Sequence, residues 1–229
     1  MTPPLATSTT YPTPPLPHSS TPPPPHSPTP QIALFGTSAD PPHRGHCEIL
    51  RWLATQFDHV AVWASDNPFK EHLSPLGDRV AMLRLMIRDI PASPGRIALD
   101  ESLSDSRTLV TVQRAQSKWP GATLTLVVGS DLVRQLPKWY GAQELLAQVE
   151  VLAIPRPGFT LAEDDLMEVR RQGGKIAIAD IPKQFDISSS YFRQTDDAEA
   201  LPTAVRAYIH QKNLYPPCPE NSREKQPTH

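Results

Sequence analysis

Two histidines three positions apart, His43 and His46, stand in the stretch GTSADPPHRGH, residues 36–46. A short apolar run at residues 32–35 precedes this stretch and a helical pattern follows it, which predicts a turn from a strand into a helix. The N-terminus of a helix favours anions, and imidazoles on one face of its first turn add to that preference. The stretch therefore predicts a phosphate-binding turn in which both histidines stabilise charge during phosphoryl transfer.

The other residues of this turn offer hydroxyl groups, backbone donors and space. Gly36 ends the apolar run and lets the backbone approach a ligand closely, and Gly45 carries no side chain that could block a bulky one. Thr37 and Ser38 add two hydroxyls beside the first glycine. The alternative is that the histidines cap the helix or bind a metal ion.

A second stretch, ISSSYFR at residues 187–193, has the same chemical character. Ser188, Ser189 and Ser190 offer hydroxyls and N–H groups where a helix is expected to begin. Arg193 lies one turn further on, and its forked, always charged guanidinium suits polyphosphate oxygens. The alternative is that the serines only cap the helix.

The pattern of apolar residues indicates how these stretches are positioned. Apolar runs predict strands at residues 32–35, 60–64, 96–100, 123–129, 149–154 and 175–180. Amphipathic patterns predict helices at residues 47–57, 78–90, 109–119, 162–174 and 203–215. Asp78 is a candidate N-cap of the second helix. The alternation favours a doubly wound, mostly parallel Rossmann-like α/β sheet with helices on both faces, whose ligands bind at the carboxyl ends of the strands.

Composition divides the chain into one domain and two tails. Residues 1–30 hold 12 of the 28 prolines and 11 serines or threonines, and no Asp, Glu, Lys or Arg. Such a segment buries too little apolar surface to fold, so we predict a disordered N-terminal tail. Residues 216–229 predict a second disordered tail, and residues 31–215 a single domain.

Charge and cysteine content limit the classes of function. A net charge of −2 gives no indication of a nucleic-acid or membrane surface. Cys47 and Cys218 lie far apart, which predicts neither a disulfide framework nor a zinc site. No apolar run approaches the roughly 18 residues of a membrane span. We expect a cytoplasmic protein, with a homo-oligomer as one option for its assembly.

Both stretches resemble the signatures of the (T/H)xGH nucleotidyltransferase superfamily, HxGH and I-S-S-(S/T)-x-x-R. Residues 126–146 further resemble the G-(A/S)-D…L-x-x-W…E-L-L block of the bacterial nicotinate mononucleotide adenylyltransferases. Shorter likenesses to that family occur at residues 65–72, 106–112, 154–159 and 212–215. Together they cover nearly all of the predicted domain, in the family's order.

The resemblance implies transfer of the adenylyl group of ATP to nicotinate mononucleotide in NAD biosynthesis, giving nicotinate adenine dinucleotide and pyrophosphate. It implies a magnesium ion that arrives with ATP rather than a dedicated metal site. Besides the residues of the two stretches, it implies ATP contacts at Gly129, Asp131 and Arg156. Mononucleotide contacts are implied at Thr108 and Trp139, and Asn67 and Lys70 are implied to contact the mononucleotide or the leaving phosphates.

Three positions depart from the family pattern. Thr37 stands where a second glycine is usual, Ala39 where phenylalanine is usual, and Val110 where an acid is usual. Three alternatives stay open: the same reaction with nicotinamide mononucleotide, another superfamily activity such as phosphopantetheine adenylyl transfer, and a nucleotide sensor without turnover.

Overall fold

The computed structural model of the protein describes residues 29–66, 73–91, 95–182 and 188–216. Its six strands are β1 Gln31–Thr37, β2 His59–Ala64, β3 Ile97–Leu99, β4 Thr123–Gly129, β5 Glu150–Ile154 and β6 Lys175–Ile178. They form one sheet in the order β3-β2-β1-β4-β5-β6, and every neighbouring pair is parallel. The predicted doubly wound α/β fold is confirmed, and each predicted strand is present with its ends shifted by at most two residues.

Helices lie between the strands and after the last of them. The α-helices of the described ranges are α1 Arg44–Gln56, α2 Leu76–Arg88, α3 Thr108–Lys118, α4 Ala142–Gln148, α5 Glu163–Arg171, α6 Ser189–Thr195 and α7 Thr203–Lys212. Short 3₁₀ segments lie at Glu101–Leu103, Ser130–Lys138 and Ala198–Ala200.

The beginnings of two helices differ from the sequence prediction. Helix α1 begins at Arg44, three residues earlier than predicted, so that His46 lies in its first turn. Helix α2 begins at Leu76 with Pro75 at the N-cap position, and the prediction of Asp78 as N-cap is wrong. The Asp78 carboxylate instead accepts a hydrogen bond of 2.8 Å from the hydroxyl of Tyr208 in α7.

The core consists of two apolar layers, one on each face of the sheet. Alternate residues of β1 belong to opposite layers, with Ala33 and Phe35 on one side and Ile32 and Leu34 on the other. Because helices cover both faces, the strands are apolar almost throughout, which is why they appear as uninterrupted apolar runs.

The predicted tails fall largely outside the described residues, which begin at Thr29 and end at Pro216. The carbonyl of Pro30 accepts the N–H of Thr123 at 2.9 Å, so pairing with β4 starts one residue before the predicted domain. No helix in the described ranges is long and apolar enough to cross a membrane.

Candidate active site

The carboxyl ends of β1 and β4 lie side by side in the middle of the sheet. From β1 the strand order runs towards β2 and β3 on one side and towards β5 and β6 on the other. Where the order reverses in this way, an open α/β sheet leaves a crevice beyond its strand ends, and ligands bind there. The turn that carries His43 and His46 starts from this point.

His46 is held by two hydrogen bonds within that turn. Its Nδ1 accepts the backbone N–H of His43 at 3.1 Å, and its Nε2 lies 2.9 Å from Thr37 Oγ1. Since Nδ1 accepts, the ring proton belongs on Nε2, which donates to Thr37. Thr37 Oγ1 also accepts the N–H of Ala39 at 3.3 Å. A glycine at position 37 would lack the hydroxyl that makes these contacts.

His43 lies against His46, with 3.9 Å between the ring centroids, and is only 8% exposed. Among the described residues its Nδ1 has no hydrogen-bond partner. Burial, together with the positive charge of Arg156, lowers the pKa of His43 to about 3. In the free protein His43 is therefore neutral near pH 7.

Helix α6 packs against the same turn and brings the second signature to it. Arg193 donates from Nη1 to the carbonyl of Asp40 and from Nη2 to Ser190 Oγ, the latter at 3.1 Å. Ser189 Oγ donates to the carbonyl of Pro41 at 2.9 Å. The two sequence signatures, about 150 residues apart, are thus joined directly.

Ser188 caps a helix in this structure. It is the N-cap of α6, and its Oγ accepts the N–H of Tyr191 at 3.0 Å. Capping thus accounts for Ser188, whereas the hydroxyls of Ser189 and Ser190 contact Pro41 of the turn and Arg193. The ATP contacts predicted for the three serines stay a prediction.

An ion pair between Arg156 and Asp131 lies at the end of β4. Arg156 Nε lies 3.2 Å from Asp131 Oδ1, and the backbone N–H of Arg156 donates to Ser130 Oγ at 3.0 Å. A Cβ on Gly129 would come within 2.3 Å of Asp131 Oδ1 and 2.7 Å of Arg156 Nε. Gly129 is thus needed for the ion pair to lie against the strand end, and Arg156 is near enough to His43 to affect its pKa.

Packing within the protein also explains why residue 36 is a glycine. It is paired in register with Trp63 of β2, and a Cβ on it would approach Cζ2 of that indole to 2.6 Å. The missing side chain makes room for Trp63, which is a structural role beside the predicted close approach to a ligand. Gly45 is buried in the first turn of α1.

The residues predicted for the mononucleotide are only partly described. Thr108 begins α3, and Trp139 follows the 3₁₀ segment and packs at the edge of the apolar layer that α3 covers. Gly141, at φ +62°, lies so close to Leu109 that a Cβ would come within 2.5 Å of it, so the missing side chain allows the two segments to pack closely. The predicted contacts at Asn67 and Lys70 lie outside the described residues.

Arg107, for which the sequence predicted no role, lies beside these predicted mononucleotide residues. The guanidinium carbon of Arg107 lies 4.3 Å from the ring centroid of Tyr140, a cation–π contact. Arg107 precedes Thr108 in the chain and Tyr140 follows Trp139. Both Thr108 and Trp139 are predicted to contact the mononucleotide. Val110, in contrast, lies on the outer face of α3 with Gln113 and lines an open groove.

Arg79 connects the segments that follow β1 and β2. Its side chain is 1% exposed and donates to the carbonyl of Ser38 at 3.0 Å and to that of Ser65 at 2.6 Å. It also donates to Asp66 Oδ1 at 3.1 Å. Sequence alone predicted no role for it, because an arginine in an amphipathic pattern ordinarily faces solvent.

Comparison with known proteins identifies the family of the chain. The sequence model of the cytidylyltransferase-like family matches residues 34–195, which run from β1 to the end of α6 and include both signatures. The chain belongs to this family. The resemblance to nucleotidyltransferases seen in the sequence is thereby confirmed.

Two relatives with assigned names are similar to the chain over most of its length. A protein of Synechocystis sp. named "Probable nicotinate-nucleotide adenylyltransferase" is 44% identical over 197 residues, covering 81% of this chain and 98% of the relative. The nicotinate-nucleotide adenylyltransferase of Bacillus subtilis is 27% identical over 195 residues, with the same coverage of both chains.

The fold has a solved counterpart as well. The nicotinic acid mononucleotide adenylyltransferase of Plasmodium falciparum, complexed with NaAD, superposes with a TM-score of 0.70. The two sequences are 22% identical, and the match covers 81% of this chain and 97% of the other. At this identity the superposition shows a shared fold.

Proposed function

We propose that this ATP-using nucleotidyltransferase transfers the adenylyl group of ATP to nicotinate mononucleotide, releasing pyrophosphate and forming nicotinate adenine dinucleotide for NAD biosynthesis. The observation that carries the proposal is the buried His43 Nδ1 without a described partner, placed where the strand order of the sheet reverses. An unpaired buried polar atom costs roughly 1–3 kcal/mol, which a bound phosphate could recover. The relatives named for this reaction support it.

The reaction is an in-line displacement at the α-phosphorus of ATP. A phosphate oxygen of the mononucleotide forms the new P–O bond, and the bond to the pyrophosphate oxygen breaks, so no covalent enzyme intermediate is required. Negative charge moves onto the pyrophosphate as it leaves. Positioning and hydrogen-bond donors carry such a reaction, and His43, the N-terminus of α1 and Arg193 supply them.

His43 changes its electrostatic environment when ATP binds. In the free protein burial keeps the imidazole neutral. Polyphosphate beside it adds negative charge, which favours the protonated ring and raises the pKa of His43. The histidine then becomes a better donor to the phosphate oxygens at the stage when their charge increases.

We propose that magnesium enters with ATP, bound to the phosphates and neutralising part of their charge. In the described part of the chain no group of three or more His, Cys, Asp or Glu side chains could hold a metal ion. Near the turn, Asp131 is paired with Arg156, and Asp40 accepts hydrogen bonds from the protein. These carboxylates fit a role in shaping the site, while phosphate oxygens serve as the ligands of the ion.

The mononucleotide is assigned to the corner formed by α3 and the segment after β4. An aromatic face at Trp139 suits a pyridinium ring. The N-terminus of α3 at Thr108 suits a carboxylate, and the cation of Arg107 lies beside it. This corner favours the nicotinate over the uncharged amide of nicotinamide mononucleotide.

The first experiment is pyrophosphate release with ATP and magnesium, supplied in turn with nicotinate and with nicotinamide mononucleotide. We expect release with the nicotinate substrate and loss of it when magnesium is chelated. Faster release with the amide would keep the mechanism and contradict the assignment of the acid. No release with either, while ATP still binds, would favour a sensor or another acceptor.

A further inference from the structure

The carboxylate of Asp40, in the turn between β1 and α1, is held by two distant segments. It accepts hydrogen bonds from Ser74 Oγ and from the Tyr215 hydroxyl, each at 2.6 Å, and from the backbone N–H of Leu73 at 2.8 Å. Asp40 is only 3% exposed. One buried carboxylate thus connects the phosphate-binding turn, the segment before α2 and the segment after α7.

The backbone of Tyr215 is in an unfavourable conformation that its side chain accounts for. Its φ of +55° lies in the left-handed region, which residues other than glycine adopt at a cost of about 1 kcal/mol or more. Its hydroxyl contacts both Asp40 and Ser74, the latter at 2.9 Å. Its ring meets Phe192 edge to face, with 6.3 Å between centroids. These contacts hold the chain where the hydroxyl reaches Asp40.

Asp40 connects Tyr215 to Arg193 and to the beginning of α6. While its carboxylate binds Tyr215, its backbone carbonyl accepts the guanidinium of Arg193. The carbonyl of the next residue, Pro41, accepts Ser189. The Asp40–Pro41 segment is therefore fixed on one side by the end of the domain and on the other by α6.

Electrostatics agree with this arrangement. Burial alone would raise the pKa of Asp40, but hydrogen bonds from Ser74, Tyr215 and Leu73, together with Arg193, hold it below its ordinary value. Burial, and then the bond to Asp40, raise the pKa of Tyr215. The pair is therefore a carboxylate that accepts and a neutral phenol that donates over the neutral pH range.

We propose that Tyr215 is a positioning residue for adenylyl transfer, whose hydroxyl fixes Asp40 and thereby the orientation of the phosphate-binding turn and Arg193. The proposal rests on the proposed function. Removing the hydroxyl leaves ATP contacts in place but loosens their geometry. Small displacements in a reacting geometry cost up to about 100-fold in rate, so turnover should suffer more than affinity.

The test is Tyr215→Phe, with Tyr208→Phe as the matched control. Tyr208 also donates to a carboxylate, Asp78, at 2.8 Å, but between α7 and α2 and away from the turn. We expect Tyr215→Phe to lower kcat about 10- to 100-fold with the dissociation constant of ATP changed less than about threefold. Tyr208→Phe should retain the kcat of the unmodified protein. Equal kcat in the two variants, or a parallel loss of kcat and ATP affinity in Tyr215→Phe, would overturn the proposal.

A second measurement does not depend on turnover. Amide hydrogen exchange over residues 38–46 should be faster in Tyr215→Phe than in Tyr208→Phe, because the turn loses one of its anchors. Unchanged exchange there would overturn the proposal even if the unmodified protein proved inactive with both mononucleotides. Failure of the function would appear in the unmodified protein, whereas failure of the positioning role would appear only in the comparison of variants.

Discussion

His43 and His46 are three residues apart, yet their surroundings differ. Both ring nitrogens of His46 lie within hydrogen-bond distance of groups in its own turn, Thr37 and the N–H of His43. His43 keeps a buried nitrogen with no partner among the described residues. We infer that His46 shapes the turn and that His43 contacts the reacting phosphate.

Replacing His43 by alanine tests this division. We expect kcat to fall about 100- to 1000-fold, the usual effect of removing one preorganised donor at a site of developing charge. The dissociation constant of ATP should change much less, because the remaining donors of the turn are intact. Steady-state kinetics and calorimetric titration measure the two quantities. His210→Ala, on the exposed side of α7, is the control and should retain full activity.

The burial of His43 also predicts a pH dependence of stability. Between the ordinary histidine pKa of 6.5 and the folded value of about 3, the unfolded chain binds a proton that the folded chain does not. The contribution of His43 to the free energy of unfolding therefore has its full value above pH 6.5. It becomes smaller as the pH falls towards 3, by at most about 1.4 kcal/mol per pH unit.

Urea denaturation of the unmodified protein and of His43→Asn at several pH values between 7 and about 4 measures this contribution. The stability difference between the two proteins should change steadily in favour of the variant as the pH falls. A difference that stays constant would mean that His43 titrates normally in the folded protein.

Among the secondary-structure elements, the contact between β1 and β2 restricts which residue can occupy position 36, before the turn that carries His43. Gly36 lies opposite Trp63 in the parallel register, and the indole occupies the space of a Cβ. Trp63 is 4% exposed and surrounded by the core, so it has little freedom to move away.

Gly36→Ala should therefore lower the free energy of unfolding by about 1–3 kcal/mol, the usual cost of overpacking. Gly77→Ala is the control, because a Cβ at Gly77 would meet no atom within 4 Å and alanine is the better helix former. Denaturant titration of both variants gives the comparison. Equal stability of Gly36→Ala and the unmodified protein would show that the indole can shift freely.

For the whole molecule, contacts of residues 29 and 30 with the sheet bear on where the folded unit begins. The carbonyls of Thr29 and Pro30 accept hydrogen bonds from Gln31 and Thr123. The composition of the preceding residues predicts a segment that adds no core. We therefore propose that the folded unit begins at Thr29.

Deleting residues 1–28 should leave kcat and the melting temperature unchanged. Deleting residues 1–30 removes the partner of the Thr123 N–H and should cost roughly 0.5–1.5 kcal/mol. Thermal unfolding and the pyrophosphate assay compare both truncations with the full chain. A loss of activity on deleting residues 1–28 would assign a function to the N-terminal segment and contradict the prediction of a plain tail.

Much of the fold was predictable because strands and helices follow from local periodicity. All six strands and the main amphipathic helices were predicted, and the two signatures indicated the nucleotide chemistry. Helix α4 was missed as a helix because its seven residues are too few for a clear period. Asp78 was misassigned because a capping preference is weak evidence, and the helix begins earlier, with Pro75 three residues before it at the N-cap position.

The sequence by itself determined the strand–helix alternation, and with it the parallel sheet and the strand end beside which His43 lies. Only the tertiary structure decided that His43 is neutral, that Gly36 accommodates Trp63, and that Tyr215 holds Asp40 across 175 positions of sequence. The reason is physical. Periodicity and turn preferences act between near neighbours in the chain, whereas burial, pKa values and long-range hydrogen bonds depend on segments that meet only when the chain has folded.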